Sequence, residues 1–273
     1  MPAINLTLLR TQVQELISKT TNPVNFIKEL DELLAYYQNY SLRSDKSYPG
    51  INFPKYNTPK QVITFLENEL GKSISSKPEL GLELATLLWN NPYLETKLLA
   101  VSLMKSIPPE EAIQLISMVP EFARNLQEQD LFLPILINVF LDIRKKKPKE
   151  FIELLGSWLS NPDPLYHHWG LITIANLVQK PDDNDLPSIF EIIKPLLWEN
   201  DRSAQSDVMK CINSLYLVSP LETGYFLEES LKTIDDEISL RNFSRSSREL
   251  QDELLKVIKP LIKSRLSVLK TNN

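Results

Sequence analysis

The sequence has few of the residues that carry most catalytic and metal chemistry. It contains one cysteine and two histidines in 273 residues. The lone Cys211 cannot form an internal disulfide, and its place on an apolar helical stripe predicts a buried thiol in a reducing compartment rather than a nucleophile. His167 and His168 are adjacent, so on a helix their side chains diverge by about 100° and cannot easily bind one metal ion together. We therefore expect neither a zinc site nor Cys–His catalysis.

Glycine is also scarce, with six residues scattered along the chain. Without a glycine cluster there is no Gly-rich phosphate loop, so nucleotide-dependent chemistry and a bound cofactor are not expected. The acidic segment 182–185 lacks the glycine and glutamate of an EF-hand calcium loop, because Pro187 and Ile193 occupy those two positions. We interpret this segment as a solvated loop that caps the next helix.

Long apolar runs are absent as well. The most apolar stretch, 131–141, falls short of the roughly 18 residues of a membrane span and contains Pro134 and Asn138. The N-terminus carries no apolar segment of the secretory kind, so we predict a cytoplasmic protein with no membrane partner. A net charge of −5 argues against a protein that coats nucleic acid indiscriminately, although it leaves room for a local basic surface.

The chain is rich in signals for the start of a helix. A small polar residue precedes proline at five places, as expected for an N-cap followed by proline at the first helical position. These places are Asn22-Pro23, Thr58-Pro59, Asn91-Pro92, Asp163-Pro164 and Ser219-Pro220. Apolar residues then fall three and four apart, as in Phe151, Leu155 and Trp158. This pattern predicts an all-α protein.

Helix spacing favours a repeat array over an irregular helical domain, the alternative interpretation. The predicted helices are 3–19, 23–40, 58–70, 77–90, 92–106, 108–126, 130–146, 148–160, 163–179, 185–200, 202–218, 220–234 and 245–268. The helices that open successive units recur every 33 to 38 residues, close to the roughly 34 to 47 of helix-pair repeats. We predict one curved solenoid of HEAT-like helix pairs over 1–273. It has an N-terminal helix pair and loop (1–57), repeats (58–234) and a capping helix (235–273).

Two local features are interpreted as structural. Trp89 near the end of one helix and Pro92 at the start of the next predict a tight corner, with the indole N–H reaching a free carbonyl. Glu95 falls in the first turn of that next helix, where a carboxylate meets unpaired N–H groups. The aromatics Phe53 and Tyr56, in the segment before the first repeat, either insert at a ligand or pack the end of the array.

Three segments carry a family resemblance. They are 88–95 with Ala100 and Met104 after it, the Gly-Ile-x-x-Pro turn at 50–54, and Trp158 to Asn161. Together they resemble the HEAT-like DNA alkylation repair glycosylases over about residues 40–225. The resemblance implies a curved helical fold and an enzyme that excises alkylated bases from DNA held in a concave groove.

The resemblance also implies catalytic positions, and this sequence departs from them. The catalytic aspartate becomes Leu133, its neighbouring tryptophan Gln129, the arginine Trp169 and the second tryptophan Lys210. A leucine cannot stabilise the positive charge that develops on a sugar as a glycosidic bond breaks. Asp130, three residues before Leu133, is the nearest carboxylate and the one weak catalytic candidate.

The remaining candidates are for binding nucleic acid. They are Trp169, Lys210, Arg202, His168, Lys145 and Lys146. An indole at Trp169 either stacks on a base or lies in the core between Leu165 and Ile172. The basic run that includes Lys145 and Lys146 either holds phosphates or compensates the dipole of the helix that it ends.

Three functions follow from these observations. The first is a DNA alkylation repair-like protein that binds double-stranded DNA through a concave face without efficient excision. The second is a non-catalytic scaffold for a protein partner. The third is an active alkylpurine glycosylase that uses a displaced carboxylate such as Asp130.

Overall fold

The computed structural model describes residues 4–38, 53–108, 113, 116–117, 119–124, 126–180 and 185–271. Over this part of the chain the secondary structure is helical and contains no strand, which confirms the all-α prediction. Residues 39–52, eight positions of the predicted helix 108–126 and the acidic residues 182–184 lie outside the described residues. The chain divides into two compact units, Met1–Lys146 and Lys147–Asn273.

The first unit contains seven of the described α-helices. They are α1 (Leu6–Ser18), α2 (Pro23–Tyr36), α3 (Lys60–Ile74), α4 (Pro78–Asn90), α5 (Leu94–Ser106), α6 (Val119–Phe122) and α7 (Leu126–Lys146). Sequential helices pack together, as α1 does with α2 and α4 with α5. Alternate helices also stack, in the order α1, α3, α5 and α7, while α2 packs on α4. Each of α1 to α5 thereby packs against a neighbour in sequence and against the next helix but one.

The second unit contains the other seven described α-helices. They are α8 (Pro148–Leu159), α9 (Pro164–Leu177), α10 (Leu186–Ile193), α11 (Arg202–Val218), α12 (Pro220–Thr233), α13 (Glu237–Ser246) and α14 (Asp252–Thr271). Short 3₁₀ turns follow α10 (Lys194–Trp198) and α13 (Ser247–Glu249). Here α9 stacks on α11 and α11 on α13, while α8 packs on α9 and α10. This packing places residues of α9 and α11 side by side.

Three of the five predicted helix starts are confirmed. The Asn22 side chain accepts a hydrogen bond from the backbone N–H of Asn25 at 3.2 Å, and Asp163 accepts one from Leu165 at 3.0 Å. Ser219 occupies the N-cap of α12, although its side chain makes no capping bond. In all three the next residue is proline, whose missing N–H has no intrahelical partner to lose.

The other two helices begin later than predicted. Helix α3 begins at Lys60, after Pro59, and α5 begins at Leu94 rather than Pro92. The Asn91 side chain caps a turn before α5, since it accepts from the N–H of Tyr93 at 3.2 Å. A capping side chain can accept the N–H groups of a turn as readily as those of a helix. The pattern of a polar residue before proline therefore predicts a helix start that is too early.

Two predicted helices are each divided. The segment 185–200 changes from α-helix to a 3₁₀ turn at Lys194, beside Pro195, which cannot donate a helical hydrogen bond. The segment 245–268 falls on two helices, because α13 is already complete at Ser246. Asp236 caps α13 through the N–H groups of Ile238 and Ser239, a start without proline that the sequence interpretation missed.

Glu95 anchors the chain segment that enters α3. Its side chain is 6% exposed and accepts hydrogen bonds from the backbone N–H groups of Tyr56 and Thr58, at 3.1 and 3.3 Å. We expected the carboxylate to meet N–H groups of its own helix, whereas these belong to residues nearly forty positions earlier. Tyr56 also stacks on Tyr93, with ring centroids 4.0 Å apart. Glu95 and Tyr56 therefore take part in packing, and neither faces a ligand.

The α4–α5 corner is held by a lysine that the sequence interpretation overlooked. The buried Lys97 ammonium donates to the carbonyl of Trp89 at 2.7 Å and lies 4.9 Å from the centre of its ring. It also lies 5.4 Å from the ring of Phe53. The lysine thus satisfies a carbonyl at the C-terminal end of α4 and makes cation–π contacts with two aromatic rings.

Gly170 allows α9 to approach α8. A Cβ atom at this position would lie 2.5 Å from Cδ2 and 3.1 Å from Cγ of the buried Leu159. By contrast, a Cβ at Gly224 in α12 would meet nothing within 4 Å. A methyl group would therefore be crowded at position 170 and unobstructed at position 224.

We expect Gly170→Ala to lower the free energy of unfolding by about 1–3 kcal/mol, because the added methyl displaces Leu159 in a packed interface. Gly224→Ala, the matched control, should instead raise it by about 0.5–1 kcal/mol through the higher helix propensity of alanine. Urea denaturation of both variants measures this difference. A stabilising Gly170→Ala would contradict the close approach.

Glu95→Gln should lower the free energy of unfolding by about 1–3 kcal/mol, because a neutral amide accepts the two backbone N–H groups less well than the buried carboxylate does. Glu79, exposed in the first turn of α4, provides the control. Its replacement by Gln should change stability by less than about 0.5 kcal/mol. Equal losses in the two variants, measured by urea denaturation, would show that the backbone contacts of Glu95 are unimportant.

Candidate functional site

A cluster of ionisable side chains forms where α9 and α11 lie side by side. The Nδ1 atom of His168 on α9 is 2.5 Å from Oδ2 of Asp207 on α11. The Nζ atom of Lys210, one turn further along α11, donates to Oδ1 of the same carboxylate at 3.1 Å. The Asp207 side chain is 9% exposed, against 26% for His168 and 66% for Lys210. The carboxylate is thus buried under two groups that reach the solvent.

Asp207 is ionised at neutral pH. Its burial by itself would raise the pKa of the carboxyl, but the hydrogen bond and charge of His168, followed by those of Lys210, hold the pKa below its usual value. Both carboxylate oxygens accept hydrogen bonds from these partners. The cluster thus contains a charged acid whose oxygens are already engaged.

The adjacent His167 faces a different acid. Its Nδ1 atom lies 3.9 Å from Oε1 of Glu199, which follows the 3₁₀ turn after α10. The two histidines therefore serve separate contacts, which confirms that they diverge on the helix. The buried amide of Gln205 fixes this turn, because its Nε2 atom donates to the carbonyls of Leu197 and Glu199, each at 2.9 Å.

Trp169 and Cys211 belong to the core of the second unit. Trp169 is fully buried, so its indole has no face open for stacking on a base, and the core alternative describes its position. Cys211 is fully buried, as the apolar stripe predicted. Burial and then the charge of Asp207 raise the pKa of its thiol far above the ordinary value, which makes the thiol inert as a nucleophile.

The other candidates lie apart from this cluster. Arg202 is exposed at the first residue of α11. Lys145 and Lys146 are exposed in the last turn of α7, which belongs to the first unit. The side chain of Asp130 lies outside the described residues, and Leu133 is half-buried on α7. Of the predicted binding residues, the structure brings together His168 and Lys210.

Sequence reasoning missed Asp207, the residue that joins the other two. A weak signal existed, because Asp207 precedes Lys210 by three residues and immediately precedes Val208 on the apolar stripe. An acid at the edge of a buried stripe needs a partner. The sequence offered no means of choosing His168, which lies 39 residues away.

Neither a metal centre nor a membrane segment is found in the described ranges. No group of three or more His, Cys, Asp or Glu side chains in them is arranged to hold a metal ion. None of the described helices combines the length and hydropathy needed to cross a bilayer. The cluster itself presents an exposed ammonium, an imidazole edge and a buried carboxylate.

Comparison with known proteins places the chain in a family. The family described as DNA alkylation repair enzyme matches residues 31–245, and the chain belongs to it. The matched range includes α9 and α11 and hence the whole cluster around Asp207. Comparison with curated proteins gave no significant match.

We expect Asp207→Asn to lower the free energy of unfolding by about 1–3 kcal/mol at pH 7, since it removes a buried charge from two partners. The folded pKa of Asp207 is depressed, so this stabilisation is complete above the unfolded pKa of about 3.9 and declines as pH falls through the folded value. Urea denaturation of wild type and variant from pH 7 downward measures the convergence.

Asp235→Asn is the control for this experiment. Asp235 is exposed in the turn before α13, and its replacement should change stability by less than about 0.5 kcal/mol at any pH. A loss in Asp207→Asn that stays constant on acidification would contradict the ionised pair.

Proposed function

We infer that this chain binds double-stranded DNA through the surface of the second unit that carries His168 and Lys210, without efficient base excision. Membership of the DNA alkylation repair enzyme family supports DNA as the ligand. The observation that carries the inference is the state of Asp207. Its carboxylate is buried and engaged on both oxygens, while the lysine above it stays 66% exposed.

Excision needs a group that stabilises positive charge on the sugar as the glycosidic bond breaks. Asp207 is the acid of this cluster, and its two oxygens are already engaged by His168 and Lys210. Using it in catalysis would require breaking the hydrogen bonds that satisfy a carboxylate only 9% exposed, which is costly for a buried charge. At the position where the family resemblance implies a catalytic aspartate, Leu133 offers only hydrocarbon.

The exposed groups suit phosphate recognition instead. A lysine that projects from a helix pairs readily with a phosphate oxygen, and the imidazole edge beside it offers a second polar group. Alternate stacking within each unit, such as α9 on α11 and α11 on α13, is the packing expected of HEAT-like helix pairs. We extend the inference to a curved solenoid whose concave face holds the DNA.

A protein-binding scaffold is the second candidate, and one observation favours it. A groove of about 820 Å³ lies between α10 and α12, and its lining includes the stacked rings of Phe190 and Phe226. Leu221 and Tyr225 on its rim are 86% and 66% exposed. Exposed apolar side chains grouped along a groove are typical of protein contact sites.

Titration of a labelled duplex, with and without 7-methylguanine, tests the proposed function. Wild type should bind both duplexes with an affinity that falls as salt rises, and Lys210→Gln should reduce the slope of log K against log salt by about one. Lys232→Gln is the matched control, because Lys232 is also exposed and paired with acids on its own helix. This control should leave the slope unchanged.

A base-release assay under excess protein, together with the duplex titration, separates the three functions. We expect no 7-methylguanine release from wild type. Release that Asp130→Asn abolishes would establish an active glycosylase with a displaced carboxylate. Failure to bind either duplex at low salt would favour the scaffold.

A further inference from the structure

A second groove, in the C-terminal part of the chain, carries a charge opposite to that of the molecule. It has a volume of about 540 Å³ and lies between α14 and the end of α13 with its following turn. We call it the C-terminal groove. Its polar lining includes Ser244, Arg248, Lys259, Lys263, Ser267 and Lys270, and no acidic residue lines it. Most of it lies beyond the family match, which ends at residue 245.

The three lysines of the groove follow one face of α14. Lys259, Lys263 and Lys270 are spaced by four and seven residues, which keeps them on one side of a helix. At 1.5 Å per residue, Lys259 and Lys270 are about 16 Å apart along the axis. One strand of duplex DNA presents about five phosphates over that length. The row of three lysines is therefore long enough to contact several successive phosphates of one DNA strand.

In the part of the chain that the structure describes, the cations of the C-terminal groove have no acidic partner. Within the described residues, none of the three lysines forms an ion pair, and neither does Arg248. Lys232 and Arg241, elsewhere in the same unit, do pair with glutamates of their own helices. After Glu253 the sequence has five lysines and arginines and no acid, in a chain whose net charge is −5.

The main apolar face of α14 is already buried, and Val257 and Val268 are its exposed large apolar side chains. Leu254, Ile258, Ile262 and Leu269 point into the second unit, where α14 packs on α12 and α13. A basic amphipathic helix that binds a bilayer must insert its apolar face, and this face is not free. The exposed lysines are held on a packed helix, which favours a polyanion bound from solution over a membrane surface.

We propose that the C-terminal groove binds the phosphate backbone of duplex DNA, as a contact additional to the one near Lys210. The proposal rests on the proposed function, because both take DNA as the ligand. It adds a second, independent phosphate site outside the matched family region. The groove contributes affinity and salt dependence, and it does not contribute discrimination between damaged and undamaged DNA, since its cations reach phosphates and not bases.

The double variant Lys259→Gln/Lys263→Gln tests the groove. Binding of an unmodified labelled duplex should weaken, and the slope of log K against log salt should become shallower by about two, because each substitution removes one lysine–phosphate pair. The ratio of affinities for 7-methylguanine and unmodified duplexes should stay as in wild type. Lys77→Gln/Lys180→Gln is the matched control, with the same charge change at two exposed lysines outside the groove. It should leave the slope close to that of wild type.

The thermal midpoint of each variant shows that it is folded, and Lys263→Gln/Lys270→Gln repeats the test if the first pair unfolds. An unchanged slope in the groove variants, or an equal change in the control, would overturn the proposal. Tighter binding of wild type to phosphatidylserine vesicles than to duplex would also overturn it. If Lys210→Gln has no effect while the groove variants do, only the contact near Lys210 fails. If Lys210→Gln has an effect while the groove variants do not, only the proposed contact at the C-terminal groove fails.

Discussion

Most of the described helices depend on burial of apolar side chains against neighbouring helices. The longest described helix has 21 residues and most have 10 to 17, lengths at which isolated helices are marginal in water. In each unit a helix packs on its neighbour in sequence and on the next helix but one. This double contact brings residues far apart in sequence to the same interface.

Two buried carboxylates show what such interfaces do with polar groups. Glu95 accepts the backbone N–H groups of Tyr56 and Thr58, and Asp207 accepts His168 and Lys210. In both cases the acid is enclosed and its oxygens are satisfied, so its first effect is on stability. At Asp207 the group left to meet a ligand is the exposed ammonium of Lys210.

The helical elements were largely predictable, because their signals are local. Proline after Asn22 and Asp163 marks the starts of α2 and α9, and the stripe Phe151, Leu155 and Trp158 is buried as its spacing implies. Local signals failed where a helix start and a turn can both satisfy the same capping side chain, or where a helix begins without the expected proline. Asn91 caps a turn instead of a helix, and Asp236 starts α13 without a proline.

The sequence by itself determined the all-α class, most helix bounds, the buried thiol of Cys211 and the family resemblance, since each depends on residues within a few turns of one another. Only the tertiary structure decided that Asp207 joins His168 to Lys210, that Trp169 is enclosed, and that the lysines of α14 share a groove with Arg248. The reason is that helix stacking fixes which faces meet. A stripe in the sequence shows that a face is buried, but it does not specify the polar partner across the interface.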